Sequence, residues 1–210
     1  MVIAIDGPAG TGKSTIAKLI AEKLKVVFLN SGSFYRAITL ALFRSEKIDS
    51  SDDDICEFAK KLNLDYVDSH LILNGEDVES LLHSDKVDSK VAQISAIVPL
   101  RHIVNEKIRE ITKSISIVCE GRDMTTVVFP DAEYKFYLDA SIDAQAERRY
   151  KQGCSNLTLE QIKESIIARD KIDKSKSEGA LRIADDATYI DTTLLTIEQV
   201  CAIILGKIQI

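Results

Sequence analysis

The sequence predicts an α/β fold with a parallel core sheet, on three observations. A short β-branched and apolar run, Val2 to Asp6, ends at a glycine-rich turn and leads directly into apolar residues at helical spacing. Short apolar strand runs then alternate with helical patterns along the chain, as crossover-connected parallel strands require. No internal repeat or low-complexity linker interrupts the 210 residues. One domain carrying an inserted lobe is therefore expected in preference to two independent ones.

After the opening strand, Thr15 to Leu24 places Ile16, Leu19, Ile20 and Leu24 on one helical face. Val26 to Leu29 reads as a second strand, Ser31-Gly32-Ser33 as a loop and cap, and about Phe34 to Arg44 as a helix. Asp52-Asp53-Asp54 opens the apolar-periodic stretch Ile55, Phe58, Ala59, Leu62. Three acids there stabilise a helix N-terminus through its dipole, and that reading is preferred to a metal cluster. From Leu64 to Val78 the pattern changes to short extended pieces, with Asn74-Gly75 between Ile72-Leu73 and Val78 marking a tight hairpin. Val87 to Val98 and Leu100 to Ile111 carry helical periodicity on either side of Pro99, and Ile115 to Cys119 is a buried-strand run ending at Glu120. Tyr134 to Leu138 makes the next strand and Ile142 to Tyr150 the next helix. Leu159 to about Asp170 is a further helix, Thr188 to Ile190 a last strand, and Ile197 to Ile208 a closing helix.

Composition excludes several classes. Hydrophobic residues at 45% and charged residues at 29% match ordinary globular usage and argue against disordered or coiled-coil chains. The formal charge of −6 has the wrong sign for holding a nucleic-acid backbone, so a polymeric polyanion is not an expected partner. No apolar run reaches the ~18 residues of a membrane span, and MVIAIDGPAG has no basic lead-in or cleavage site; a cytoplasmic address is the expectation. Cys56, Cys119, Cys154 and Cys201 form no CxxC pair and read as reduced thiols without a role. His70, His83 and His102 are scattered, so neither His nor Cys is expected to hold a metal.

The chemistry is concentrated in Gly7-Pro8-Ala9-Gly10-Thr11-Gly12-Lys13-Ser14, which satisfies G-x-x-x-x-G-K-[ST] between a strand and a helix, with Thr15 following. Glycines let backbone N–H groups turn inward on phosphates, and the helix N-terminus adds its dipole. Lys13 reaches the β/γ oxygens, and the Ser14 hydroxyl ligates Mg²⁺. A bound nucleoside triphosphate is implied, with the reaction left open. Neither the DxxG switch nor the NKxD reader of a regulatory GTPase occurs, and Ile117-Val118-Cys119 ends in Glu120-Gly121 where motors carry an acidic pair. Arg36, Arg101, Arg122, Arg148, Arg149 and Arg169 fall near expected loops, strand ends or helices able to face the C-terminal edge of the sheet. Such a set suits a second phosphate, because transfer between two anions needs positive charge to align them more than it needs acid–base chemistry.

Taken as a set, IAIDGPAGTGKST at 3 to 15, NSGSFYR at 30 to 36, LNGEDV at 73 to 78, EGRDMTTVVFPDA at 120 to 132, and the RDKID and IDTT strings from 169 and 190 resemble the bacterial-type cytidylate kinase family. These are P-loop nucleoside monophosphate kinases that phosphorylate CMP and dCMP. The resemblance implies a five-stranded parallel sheet flanked by helices, with a core of about 1–45 and 113–210, a monophosphate-binding insert of about 46–112 and a short lid of about 148–180. It implies ATP as phosphoryl donor with Mg²⁺, small-molecule acceptors, no nucleic acid or membrane partner, and a monomer. By position, Ser31, Arg36, Arg122, Arg169 and Asp173 resemble the family's contacts to acceptor phosphate and sugar. Arg101 and Asp123 resemble its cytosine contacts, and Arg148 and Arg149 its lid-side arginines. A carboxylate accepts from the cytosine N4 amino group and repels the uracil O4, so Asp123 suits discrimination of C from U. The chain departs from the family pattern at Asn30 (usually Asp), Thr125 (Gly), Gln145 (Arg), Lys176 (often Arg) and Ala92 (Ser in some relatives). Two other readings stay open: a kinase of another small acceptor such as UMP or AMP, and a nucleotide-binding switch without turnover.

Overall fold

A computed structural model describes residues 1–151 and 157–209. Cys154 and the part of the expected lid at 152–156 lie outside the described residues. The elements run β1 (Val2–Asp6), α1 (Lys13–Leu24), β2 (Val27–Asn30), α2 (Ser31–Arg44), α3 (Asp52–Lys60), β3 (Leu64–Val67), β4 (His70–Leu73), β5 (Glu76–Asp77), α4 (Asp85–Ile94), α5 (Val98–Thr112), β6 (Ile117–Gly121), β7 (Tyr134–Asp139), α6 (Ile142–Lys151), α7 (Leu159–Ser175), β8 (Thr188–Asp191) and α8 (Ile197–Leu205). Backbone contacts divide the chain into two compact units, Met1–Phe28 with Ser116–Ile210, and Leu29–Ile115.

The main sheet has five parallel strands, as the resemblance implied, and their order is β2-β6-β1-β7-β8. The central strand β1 and its neighbour β6 are almost wholly buried. That is why they read as continuous apolar runs instead of alternating ones. Ile3, Ile5, Val118, Phe136 and Leu138 from the strands pack with Ile16 and Ile20 of α1 and Val200 and Ile204 of α8 into the core of the first unit.

In the second unit, β3, β4 and β5 form a small antiparallel sheet. Leu73 pairs with Glu76 across Asn74 and Gly75, which sit at φ 51° and 85°. Both turn positions need the left-handed region, and Asn-Gly is the dipeptide that occupies it most readily. Ser51 caps α3, accepting from the Asp54 amide at 3.2 Å, so the three aspartates fill the first turn as the dipole argument requires.

Several boundaries differ from expectation for identifiable reasons. Helix α2 starts at Ser31, earlier than Phe34, because the Asn30 side chain accepts from the Gly32 amide at 2.9 Å and makes Asn30 the cap. Helix α7 continues past Asp170 to Ser175. Its buried face runs Ile162, Ile166, Asp170, Asp173, so the helical spacing persists after the apolar residues stop. Helix α4 ends at Ile94, and α5 takes Val98 and Pro99 into its first turn, where proline's missing N–H costs nothing. Among the described residues, no helix is long and apolar enough to cross a membrane.

Candidate active site

The loop between β1 and α1 owes its shape to three glycines with positive φ: Gly7 at 150°, Gly10 at 75° and Gly12 at 92°. A Cβ on Gly7 would lie 2.0 Å from the Leu138 carbonyl oxygen, so only glycine allows this approach to β7. Inside the loop the Pro8 carbonyl accepts from the Thr11 hydroxyl at 3.1 Å and from Lys13 Nζ at 2.6 Å. Ala9 is buried, while Ser14 and Thr15 stand exposed at the start of α1. Burial, followed by repulsion from Arg122, lowers the Lys13 pKa to about 7, with Glu120 and Asp6 only partly offsetting it. An anion arriving in the loop would remove that penalty and draw the lysine to itself.

The Ser14 hydroxyl donates to Glu120 Oε1 at 2.8 Å. Glu120 is the last residue but one of β6, and Ile5 of β1 is its register partner. A hydroxyl backed by a carboxylate is a hard-oxygen donor set of the kind Mg²⁺ prefers. Sequence reasoning used Glu120 only to exclude motors. Its signal was the position of an acid at the end of a buried strand, but nothing in the sequence says that this strand lies beside β1.

Behind the loop, Arg148 of α6 turns its guanidinium inward. Nη1 donates to the Thr192 hydroxyl at 2.9 Å and to the Thr11 carbonyl at 3.5 Å, and Nη2 donates to the Thr192 carbonyl. Gln145, one turn earlier, donates to the Ala140 carbonyl at 2.6 Å, and a Cβ on Gly10 would come within 3.0 Å of its own Cβ. The residue standing in place of the family's arginine is thus packed beneath the cradle. Arg149 is exposed on the same helix.

Of the remaining candidates in the first unit, Arg122 and Arg169 act on Asp173 of α7. Its carboxylate pairs with Arg122 Nε at 3.0 Å and with Lys176 Nζ at 2.8 Å. Burial alone would raise this carboxyl, but the charges of Arg122 and Lys176 outweigh it and hold it below the usual carboxylate range. Arg169 is half-buried on α7, and Asp123 is 3% exposed in the turn after β6. Asp170, which the sequence did not single out, is buried; desolvation raises its pKa against the charge of Arg122 and a hydrogen bond from the Ala9 amide.

In the second unit, Ser31 is buried at the start of α2. Arg36, one turn later, donates to the Leu82 carbonyl at 2.8 Å and pairs with Asp88 at 2.6 Å. Arg101 of α5 donates to the Ser95 carbonyl at 3.0 Å with its guanidinium 5.5 Å from the centre of the Tyr35 ring. Ala92 is exposed on α4, where an added hydroxyl would meet no packed core.

Comparison with known proteins decides the family. The family model described as cytidylate kinase matches residues 3–210. The chain belongs to the cytidylate kinase family. Cytidylate kinase 1 of Borrelia garinii subsp. bavariensis is 42% identical over 215 residues, covering 100% of this chain and 97% of that protein. Cytidylate kinase of Borreliella burgdorferi is 41% identical with the same coverage. Cytidylate kinase of Clostridioides difficile is 38% identical over 213 residues, covering 100% of this chain and 99% of that protein. The chain is therefore a phosphotransferase of the cytidylate kinase family, and the quoted strings pointed to the right family.

Proposed function

We propose that this chain transfers the γ-phosphoryl of ATP to CMP and dCMP, giving ADP with CDP or dCDP. The observation that carries the reading is the cradle itself, with inward-turned Lys13 and with Ser14 backed by Glu120, in a chain of the cytidylate kinase family. The cradle binds the donor phosphates through backbone N–H groups between Gly10 and Thr15, since Pro8 has none and that of Ala9 is turned to Asp170, and Lys13 leaves the Pro8 carbonyl to neutralise charge on the transferred group. Ser14 would hold Mg²⁺, with Glu120 fixing the hydroxyl from behind; when bound, the ion would neutralise charge on the donor phosphates.

Arg36, Arg122 and Arg169 orient the acceptor phosphate, Arg148 and Arg149 act from the lid side, and Ser31 and Asp173 hold phosphate and sugar. Arg101 and Asp123 read the base, Asp123 accepting from the cytosine amino group. Arg148 also braces the cradle by its contact with Thr11. No general base is required, because the acceptor is already anionic.

The test is ADP formation from ATP with CMP, dCMP, UMP or AMP added singly, and with none. Turnover that requires CMP or dCMP is the expected result. Faster turnover with AMP or UMP would replace the acceptor assignment, and no acceptor-dependent turnover would overturn the enzymatic reading.

A further inference from the structure

Asp6 is the last residue of β1 and is fully buried, register-paired with Gly121 at the end of β6. Its Oδ1 accepts from the Met124 amide at 2.9 Å, and its Oδ2 accepts from the Thr125 amide at 2.7 Å and the Thr125 hydroxyl at 2.6 Å. Met124 and Thr125 are themselves 2% and 1% exposed. A carboxylate is an acceptor only, and here its two oxygens take all three of these donors. Buried donors left without it would cost their full desolvation, so the arrangement is strongly held.

Only Arg122 and Asp123 lie between Gly121 and Met124. Their backbone is therefore fixed at both ends, by the β1–β6 ladder at Gly121 and by the Asp6 carboxylate at 124 and 125. The turn continues from that anchor, with the Asp123 carbonyl accepting from the Val127 and Val128 amides at 2.9 and 3.1 Å. Asp6 is also joined directly to Gly7, the first residue of the cradle, so one residue borders the donor loop and holds the span that carries Arg122 and Asp123.

We propose that Asp6 and Thr125 form a positioning clamp that holds Arg122 and Asp123 in the orientation the acceptor nucleotide requires. The proposal rests on the acceptor role given to those two residues above. Without the Thr125 hydroxyl, the carboxylate keeps two of its three donors and the 124–125 turn loses its side-chain anchor. The acceptor contacts then loosen while the cradle amides and Lys13 stay in place.

The experiment is steady-state kinetics with CMP, UMP and ATP varied separately, on wild type, Thr125→Val, Thr125→Ala, Thr125→Ser and Arg122→Ala. Thr125→Val should raise KM for CMP about tenfold, the loss of one charge-assisted hydrogen bond. It should lower the CMP over UMP ratio of kcat/KM and leave KM for ATP within about twofold. Thr125→Ser, which keeps the hydroxyl, should restore both values. Thr125→Ala carries the same expectation as valine and replaces it if the valine variant does not fold. Unchanged CMP kinetics in the alanine or valine variant, with Arg122→Ala impaired for CMP, would overturn the clamp. Equal rises in KM for CMP and ATP would also overturn it, as a general structural effect. An Arg122→Ala variant with normal CMP use would instead overturn the acceptor role on which the proposal stands.

Discussion

Replacing Asp6 by Asn removes a carboxyl that folding moves from a pKa of 3.8 to about 6. Burial is the main cause, opposed by the hydrogen bonds from Thr125 and Met124 and reinforced by the nearby charge of Asp123. A raised folded-state pKa means the native protein binds this proton more tightly than the unfolded chain. The stability Asp6 contributes is therefore greatest at low pH and is lost as pH rises through about 6. That rise corresponds to roughly 3 kcal/mol over the whole titration, of which about 1 kcal/mol falls between pH 5 and pH 7. Asn cannot titrate, and its lost hydrogen bond is a constant offset. Urea unfolding of both proteins at several pH values reads the effect directly. The wild type should lose about 1 kcal/mol relative to Asp6→Asn from pH 5 to pH 7. Parallel pH profiles would refute the reasoning. A wild type that gains on the variant with rising pH would show that the three hydrogen bonds outweigh burial.

Lys13→Met should fold normally and lose about 10²–10³ in kcat, because the methionine cannot offset charge on the transferred phosphoryl; circular dichroism and ADP release check both halves, and near-normal turnover would remove Lys13 from the donor site. Asp123→Asn should narrow the CMP over UMP ratio of kcat/KM by about tenfold, since an amide can turn a donor toward the uracil O4; an unaltered ratio would mean that the base is read elsewhere. Gly7→Ala would put a Cβ 2.0 Å from the Leu138 carbonyl, and backbone on both sides must move to admit it. A loss of about 3 kcal/mol or more is expected, and a wild-type urea midpoint would contradict the close approach of the loop to β7.

The cradle was legible in the sequence because its parts are covalent neighbours. The glycines, Lys13 and Ser14 occupy consecutive positions, and the strand before them and helix after them follow from apolar period alone. The hairpin at Asn74-Gly75 and the acidic first turn of α3 were legible for the same reason, since turn and helix-end chemistry act over two or three residues. The true start of α2 and the end of α7 were hidden. The first depends on one Asn30 side-chain bond, and the second on a buried helical face that turns from isoleucine to aspartate.

What the sequence by itself determined is thus the local chemistry: a phosphate loop, alternating strands and helices, and strings that identify the family. Only the tertiary structure decided which distant residues serve that loop. Ser14 and Glu120 are 106 positions apart, Asp6 and Thr125 119 apart, and Arg148 and Thr192 44 apart. None of these pairs has a period or spacing a sequence could show, because each is set by the strand order β2-β6-β1-β7-β8. Placing β6 and β7 on either side of β1 brings a carboxylate to Ser14 and a carbonyl against Gly7, and it gives the buried Asp6 a turn to hold.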